Sequence, residues 1–415
     1  LIALAVAGAL GAPLVASAAP GDGVTLFGRV GVELGSIDID QAPGANDYRQ
    51  ESISDNAGAS RWGLLIVEDL GGGLKANARV EYGFRTGNGV VDAVREQWVG
   101  LSHAGWGALQ FGRVQSPFKD FAGGATIDPF ITTNLQARGA GGAMYAPGNG
   151  FGAAGFVDHA IRYNSPSWGG FSMALLASPG DATQTDPTVV VAGTAANAGN
   201  VGGKGGTSNY QIGLKFKIGS AGEIFGGYSN DEANDVQAAT LTNGQFGDDE
   251  QVWRLGTAWN FGNFRIAAQY DKIEDALLGN GGATCAGGAQ ANGLEGSITT
   301  NQCNTAMNTN GDGDIWFLTT QYKIGKTTLV LQGGQTKADA VSNAAGVVQA
   351  SEREAKSLAL GAIHMISKRT RVFGGYQRVN VDGARNVANT TTTGTAVLAT
   401  QPDRSTWTLG MRHDF

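Results

Sequence analysis

From Leu74 to Phe84 the chain alternates without interruption: Leu74, Ala76, Ala78, Val80, Tyr82 and Phe84 fall on one side, Lys75, Asn77, Arg79 and Glu81 on the other. A period of two with one apolar and one polar face is the signature of a β-strand, not of a helix. The same alternation runs from Ser405 to Phe415, with Trp407, Leu409, Met411, His413 and Phe415 interleaved with Thr406, Thr408, Gly410, Arg412 and Asp414. A terminal strand must pair on both sides or leave an open edge, and closing a sheet into a barrel removes the edge. The fold expected from this pattern is therefore all-β, with strands running all the way round.

Composition decides what surrounds such a sheet. The 415 residues include 66 glycines, only 16% are charged, and the mean hydropathy is −0.12. Membrane helices would need repeated apolar runs of about twenty residues, and beyond the N-terminus there are none. A transmembrane barrel needs only one apolar face per strand, so its mean hydropathy stays low. The net charge of −7 argues against nucleic acid as a partner. Leu1 to Ala18 is an apolar stretch closing on Val15-Ala16-Ser17-Ala18, the pattern of a signal peptide lacking its first residues, so the mature domain is expected to span Ala19 to Phe415.

Along the chain, Val24 to Leu34 forms a first strand with Thr25, Arg29 and Glu33 on its polar face. Short turns at Gly71-Gly72-Gly73, His103-Ala104-Gly105, Ser167 to Gly170, Gly219 to Gly222, Gly262-Asn263, Gly325-Lys326 and Ser367-Lys368 join strands pairwise. Long Gly-, Asn-, Asp- and Thr-rich segments separate the pairs: Gln115 to Val157, Ser178 to Gly206, Asp231 to Asp249, Glu274 to Gly313, Lys337 to Glu352 and Asn380 to Pro402. Counting both sides of every turn gives about sixteen strands, with short turns on one rim and long loops on the other, as in outer-membrane barrels. Trp253, Trp259, Phe216, Phe264, Tyr270, Trp316, Tyr322 and Tyr376 share parity with the apolar faces, several of them near strand ends where interfacial girdles form.

Several short pieces in fixed order resemble the general porins of Gram-negative bacteria, in particular the betaproteobacterial and neisserial branch. They are Val24 to Arg29, Ser60-Arg61-Trp62-Gly63, Glu68 to Leu74, Arg95 to Leu101 with Gly107 to Arg113, Arg162 to Pro166, Ser367 to Thr370 and Gly410 to Phe415. The resemblance implies a homotrimer of 16-stranded antiparallel transmembrane β-barrels in the bacterial outer membrane, each with a water-filled pore narrowed by a constriction loop folded into the lumen. Ions and small hydrophilic solutes would pass, no cofactor would be needed, and the partners would be outer-membrane lipid and lipopolysaccharide. Phe415 matches the signal read by the barrel-assembly machinery.

The constriction loop of that family corresponds to Gln115 to Val157. Its acidic candidates are Asp120 and Asp128, with capping of a turn as the alternative for each. On the wall, parity directs Arg29, Arg61, Arg79 and Arg95 into the lumen, because a charge facing lipid near the midplane costs about 2–4 kcal/mol. The resemblance matches Arg29, Arg61, Arg95 and Arg113 to the family's basic cluster; Arg79 is added by parity alone. Lys215, Lys217, Arg254, Arg265 and Lys323 also point inward, against the inward acids Glu33, Glu81 and Asp271. Basic rings favour anions, so weak to moderate anion preference is expected. Acidic side chains such as Asp38, Asp40, Asp47 and Glu51 at the mouth pull the other way, but screening falls off over about 8 Å at physiological salt.

Other signals point elsewhere. Gly150 to Gly155 spells G-x-G-x-x-G but lacks the strand and helix of a dinucleotide site. Asn308 to Gly313 resembles half of a calcium loop, with Thr319 where the bidentate Glu should stand. Cys285 and Cys303 flank the same loop, and a disulfide between them would hold it in shape. Hydrolysis at a barrel usually needs a His beside a nucleophile; His103, His159, His364 and His413 stand near no such elbow, so no enzyme is expected.

Overall fold

A computed structural model describes residues 23–40, 47–54, 60–87, 91–137, 155–179, 208–231, 249–276, 311–339, 341–342, 348–350, 352–382, 384–387, 397–400 and 403–415. The expected signal segment, Cys285, Cys303, the first half of the calcium-like stretch and most of the G-x-G-x-x-G stretch lie outside the described residues.

The barrel strands are β1 Gly23–Asp40, β2 Ser60–Gly71, β3 Leu74–Phe84, β4 Val91–His103, β5 Gly107–Gln115 and β6 Phe156–Asn164. They continue as β7 Phe171–Ser178, β8 Asn209–Ile218, β9 Gly222–Asp231, β10 Glu250–Phe261 and β11 Phe264–Ala276. The series ends with β12 Gly311–Ile324, β13 Thr327–Ala338, β14 Arg353–Met365, β15 Thr370–Asp382 and β16 Asp403–Asp414. Each pairs antiparallel with its neighbour in sequence, and β16 pairs with β1, so the ring closes. The main sheet has seventeen strands, one of which, Tyr48–Ser54, pairs only with the outer half of β1 as a hairpin; the closed barrel therefore has sixteen. A small second sheet joins Val341–Ser342, Val348–Ala350, Ala384–Val387 and Val397–Thr400 on the long-loop side.

The two faces of each strand are sorted by what they meet. Outward positions such as Leu26, Val32, Leu255, Leu318, Leu360 and Leu409 are exposed, as an apolar belt in lipid must be. Towards the long-loop rim the belt carries cross-strand aromatic pairs, Tyr228–Trp253 and Tyr376–Trp407, with ring centroids 4.3 and 4.6 Å apart. Phe216, Phe264 and Tyr322 stand outward near the opposite rim. At the closing seam, the amide of Gly28 donates to the Phe415 carbonyl and the amide of Phe415 to the Gly28 carbonyl, both at 2.9 Å. The ring of Phe415 packs over Gly28, where a Cβ would collide with it.

The inner face is not uniformly polar. Phe225, Val252, Ile273, Ile315 and Phe317 point inward and are buried, because the loop between β5 and β6 packs over them with Phe118, Phe121, Ala122 and Ile127. A second apolar contact puts Phe130 and Leu135 of the loop against Val330.

Candidate pore constriction

The loop after Gln115 begins with a short helix, α1, Pro117–Asp120, capped by the Ser116 hydroxyl accepting from the Lys119 amide. Two glycine pairs on the wall seat the rest of the loop. Gly213 on β8 lies directly opposite Gly227 on β9, and a Cβ at Gly213 would stand 2.9 Å from the Phe121 ring. Gly361 on β14 lies opposite Gly375 on β15, and added Cβ atoms there would come within 2.8 Å of Phe130 and 2.9 Å of Leu135. Missing side chains on adjacent strands thus make flat seats for the loop's apolar anchors.

Wall side chains then bind the loop backbone. Arg254 Nη1 donates to the carbonyls of Phe118 and Ala122, both at 2.7 Å, while its Nε pairs with Asp271 Oδ1 at 2.6 Å. The Thr319 hydroxyl donates to Ile127 O at 2.6 Å, so this residue serves the loop. Gln332 and Gln377 both donate to Leu135 O, and Glu33 accepts the Asn134 amide at 2.8 Å. From β6 round to β1 the loop follows the inner wall, leaving β1 to β4 to face it across the lumen.

On that facing wall three arginines converge on one acid. Glu81, fully buried, pairs with Arg61 Nε at 3.5 Å, with Arg79 and with Arg95. Glu96 accepts from Trp98 Nε1 at 2.9 Å and Gln115 Nε2 at 2.6 Å, and lies 3.3 Å from Arg79 Nε. Arg79 also stacks over Phe27, 4.5 Å from the ring centroid. Arg29, directly opposite Arg61 in register, is buried and lies 3.7 Å from Asp414. Arg113 stands half-buried at the edge of this group, paired with Asp158 at 2.6 Å. It shares the Phe156 ring with two other cations: Lys119 Nζ lies 4.6 Å from the centroid, Arg95 5.1 Å and Arg113 5.4 Å.

The register explains how Arg95 enters the lumen. Glu81 pairs with Glu96 and Tyr82 with Val94, so Arg95 is the extra residue of a β-bulge. A bulge sends two successive side chains to the same side, here Arg95 and Glu96. Alternation taken from the outward Val99 and Leu101 puts Glu96 inward and Arg95 outward, so it is the bulge and not parity that brings Arg95 into the lumen.

The two loop acids have different surroundings. Asp128 is fully buried; Oδ1 accepts the Phe130 amide at 3.1 Å and Oδ2 the Ala137 amide at 2.9 Å, so its carboxylate folds the loop on itself. Asp120 pairs with Arg162 Nη1 at 2.8 Å, and Arg162 also donates to Gln115 O at 2.7 Å. Burial pushes the Asp120 carboxyl up against the pull of Arg162. Lys119 is drawn down to about 7 by burial and by Arg95 and Arg61 nearby. Arg29, Arg61, Arg79 and Arg95 face three carboxylates, Glu81, Glu96 and Asp414, so the wall is net basic, and Lys119 of the loop adds to it. Arg162, Glu96, Arg371 and Arg412 complete the inner charge pattern without having been singled out from sequence. Arg412 was within reach of parity, as it shares a face with Thr406 and Thr408.

A closed barrel with an apolar belt outside, charges inside and a long loop docked on its inner wall is an outer-membrane channel protein. The family model described as Gram-negative porin matches residues 3–384, and the chain belongs to that family. An outer membrane porin protein of Bordetella pertussis is 30% identical over 276 residues, covering 62% of this chain and 66% of that relative's length. Outer membrane porin protein 32 of Delftia acidovorans is 27% identical over 384 residues, covering 90% of this chain and 87% of the relative. Among solved structures, the anion-selective porin from Comamonas acidovorans superposes with a TM-score of 0.64 at 19% identity, over 95% of this chain and 100% of that one. OmpF of Salmonella typhi, in complex with daunomycin, gives 0.57 at 14% identity over 95% and 98%. These structural likenesses carry the fold.

Proposed function

We propose that the protein is a general diffusion porin, a homotrimer passing ions and small hydrophilic solutes with weak to moderate preference for anions, and that it has no enzymatic activity. The observation that carries the sign is the set of Arg29, Arg61, Arg79 and Arg95 on one wall, held by Asp414, Glu81 and Glu96 but outnumbering them. Basic side chains around a narrow aqueous path raise the local concentration of anions. The solved Comamonas relative is described as anion-selective, which agrees with this sign. A trimeric form is described for OmpT of Vibrio cholerae, which has the same fold at a TM-score of 0.55 and 14% identity and supports the trimer. Arg113 belongs to the constriction through its shared contact with Phe156, and Asp120 through its bond to Arg162. Phe415 is the assembly signal, and outer-membrane lipid and lipopolysaccharide surround the belt. The histidines support a channel over a hydrolase: His364 and His413 each pair with a threonine hydroxyl, Thr327 and Thr370, at 2.9 Å at the short-turn rim.

The test is a planar-bilayer recording of the refolded protein across a salt gradient. Conductance steps grouped in threes with an anion-leaning reversal potential are expected. A cation-leaning potential would refute the role assigned to the arginine wall, and the absence of conductance from a folded barrel would refute the channel itself.

A further inference from the structure

The closing seam of the barrel carries a second basic group, Arg371 and Arg412, beside Arg29 of the constriction wall. Arg371 on β15 lies directly opposite Arg412 on β16, and Arg29 on β1 lies opposite Asp414, with Arg61 opposite Arg29 in turn. Four successive strands therefore each present an arginine. Arg371 and Arg412 point inward by parity, alternating with the outward Val372 and Met411 and sharing their faces with the buried Phe373 and Thr408.

Cross-strand neighbours have Cβ atoms only ~5 Å apart, and like charges directly opposite one another are destabilising. At the constriction the protein answers this with its own acids, since Arg61, Arg79 and Arg95 share Glu81. At the seam it does not. Asp414 is the one carboxylate in the row; it takes Arg412 at 2.8 and 3.2 Å and stands 3.7 Å from Arg29. Among the described residues no acid forms an ion pair with Arg371, and its Nε is buried without a hydrogen-bond partner. Arg29, Arg371 and Arg412 outnumber the acids that pair with them, in side chains whose planar forks suit two oxygens at once.

We propose that the seam formed by Arg371, Arg412 and Arg29 is a binding site for a small doubly charged oxyanion of the phosphate and sulfate class. It lies on the short-turn side, Arg371 being one residue beyond the first residue of β15, and it adjoins the Glu81-centred constriction through Arg29, which lies opposite Arg61. The bound dianion supplies the countercharge that the fold omits and bridges the two opposed guanidinium groups. The site gives the channel a resting place for polyvalent anions on that side.

The proposal is tested on the refolded full-length protein in detergent at pH 7.5. Inorganic phosphate is titrated against sodium chloride of matched ionic strength, with thermal unfolding and calorimetric heat as readouts. A ligand that binds only the folded state raises the unfolding temperature saturably. Wild type is expected to be stabilised by phosphate beyond chloride, with the half-saturating concentration about tenfold higher in Arg371→Gln and in Arg412→Gln. Arg371→Lys keeps the charge but loses the fork, and should bind phosphate more weakly than wild type; it also serves if the glutamine variants do not fold. Equal effects of phosphate and chloride on wild type would overturn the proposal. So would phosphate binding that survives in Arg371→Gln but is lost in Arg95→Gln, because the anion would then sit at the constriction. Undiminished binding in Arg371→Lys would remove the bidentate contact. Binding is measured without current, so its failure is distinct from a failure of the channel reading.

Discussion

Glu81 is the single residue on which the sign and size of selectivity turn most directly. Its carboxylate is fully buried behind Arg61, Arg79 and Arg95. Glu81→Gln keeps the shape and deletes one negative charge. For a permeating ion ~7 Å away across the guanidinium layer, one unit charge in water is worth about 0.6 kcal/mol before screening. A Debye length of about 30 Å at 0.01 M leaves about 0.5 kcal/mol, and one of about 10 Å at 0.1 M leaves about 0.3 kcal/mol. The effect is opposite for anion and cation. The anion-to-cation permeability ratio should therefore rise roughly fivefold in dilute salt and roughly threefold at 0.1 M. Losing the shared partner of three half-buried arginines also destabilises the barrel, by about 3–5 kcal/mol if nothing rearranges. Reversal potentials measured at two salt levels, with heat-induced unfolding in detergent as the stability readout, check both numbers. A ratio that stays constant in dilute salt, or moves towards cations, would refute the assignment of this wall as the selective element.

The same geometry sets the outcome of four further perturbations. Lys119, drawn down to about 7 by burial and by Arg95 and Arg61, is charged below that pH and neutral above it. Anion preference should therefore fall as pH rises from 6 to 8, and Lys119→Met should remove the step. Because its folded value lies below the ordinary 10.5, the unfolded chain binds this proton better between the two, so this residue makes stability rise with pH across that window. Arg254→Met deletes two charge-assisted bonds to the loop, each worth about 1.5–3 kcal/mol, and strands Asp271. Larger and noisier single-channel currents are expected, and adding Asp271→Leu should recover stability but not the wild-type conductance. Gly213→Val intrudes on Phe121 and Pro117, 2.9 and 3.1 Å from the added Cβ, and should shift α1 and change conductance without unfolding the barrel. Asp128→Asn removes one of two acceptors for loop amides, at a cost of about 1–3 kcal/mol in loop docking, with less change in selectivity than Glu81→Gln.

The barrel was legible because its physics is periodic. Residues facing lipid must be apolar and residues facing water need not be, so Leu74 to Phe84 and Ser405 to Phe415 declare their faces locally. The loop's docking was not legible. It depends on which inner positions are empty, as at Gly213 and Gly361, and on carbonyl-binding side chains such as Arg254, Thr319 and Gln377 that lie over a hundred residues from their partners. Phe27 and Phe317 both read as lumenal aromatics in the sequence, yet Phe317 is buried under the loop with Ile127. The bulge at Arg95 leaves no mark in the hydrophobic pattern, so the alternation that places Glu96 inward with Trp98 does not place Arg95 beside it.

The acidic chain and the basic pore are reconciled by how the inner charges are divided. Arg162 with Asp120 and Arg254 with Asp271 are closed pairs, each using its remaining donors to hold the loop at Gln115, Phe118 and Ala122. Those charges cancel and contribute position. Arg29, Arg61, Arg79 and Arg95 outnumber Glu81, Glu96 and the Asp414 that Arg29 shares with Arg412. Buried guanidinium groups without acids would repel one another and disorder, whereas full pairing would leave the pore neutral. Partial pairing holds the arginines in place and leaves a small positive excess. Selectivity that rests on so small a difference is necessarily moderate, and one added or deleted acid is enough to move it measurably.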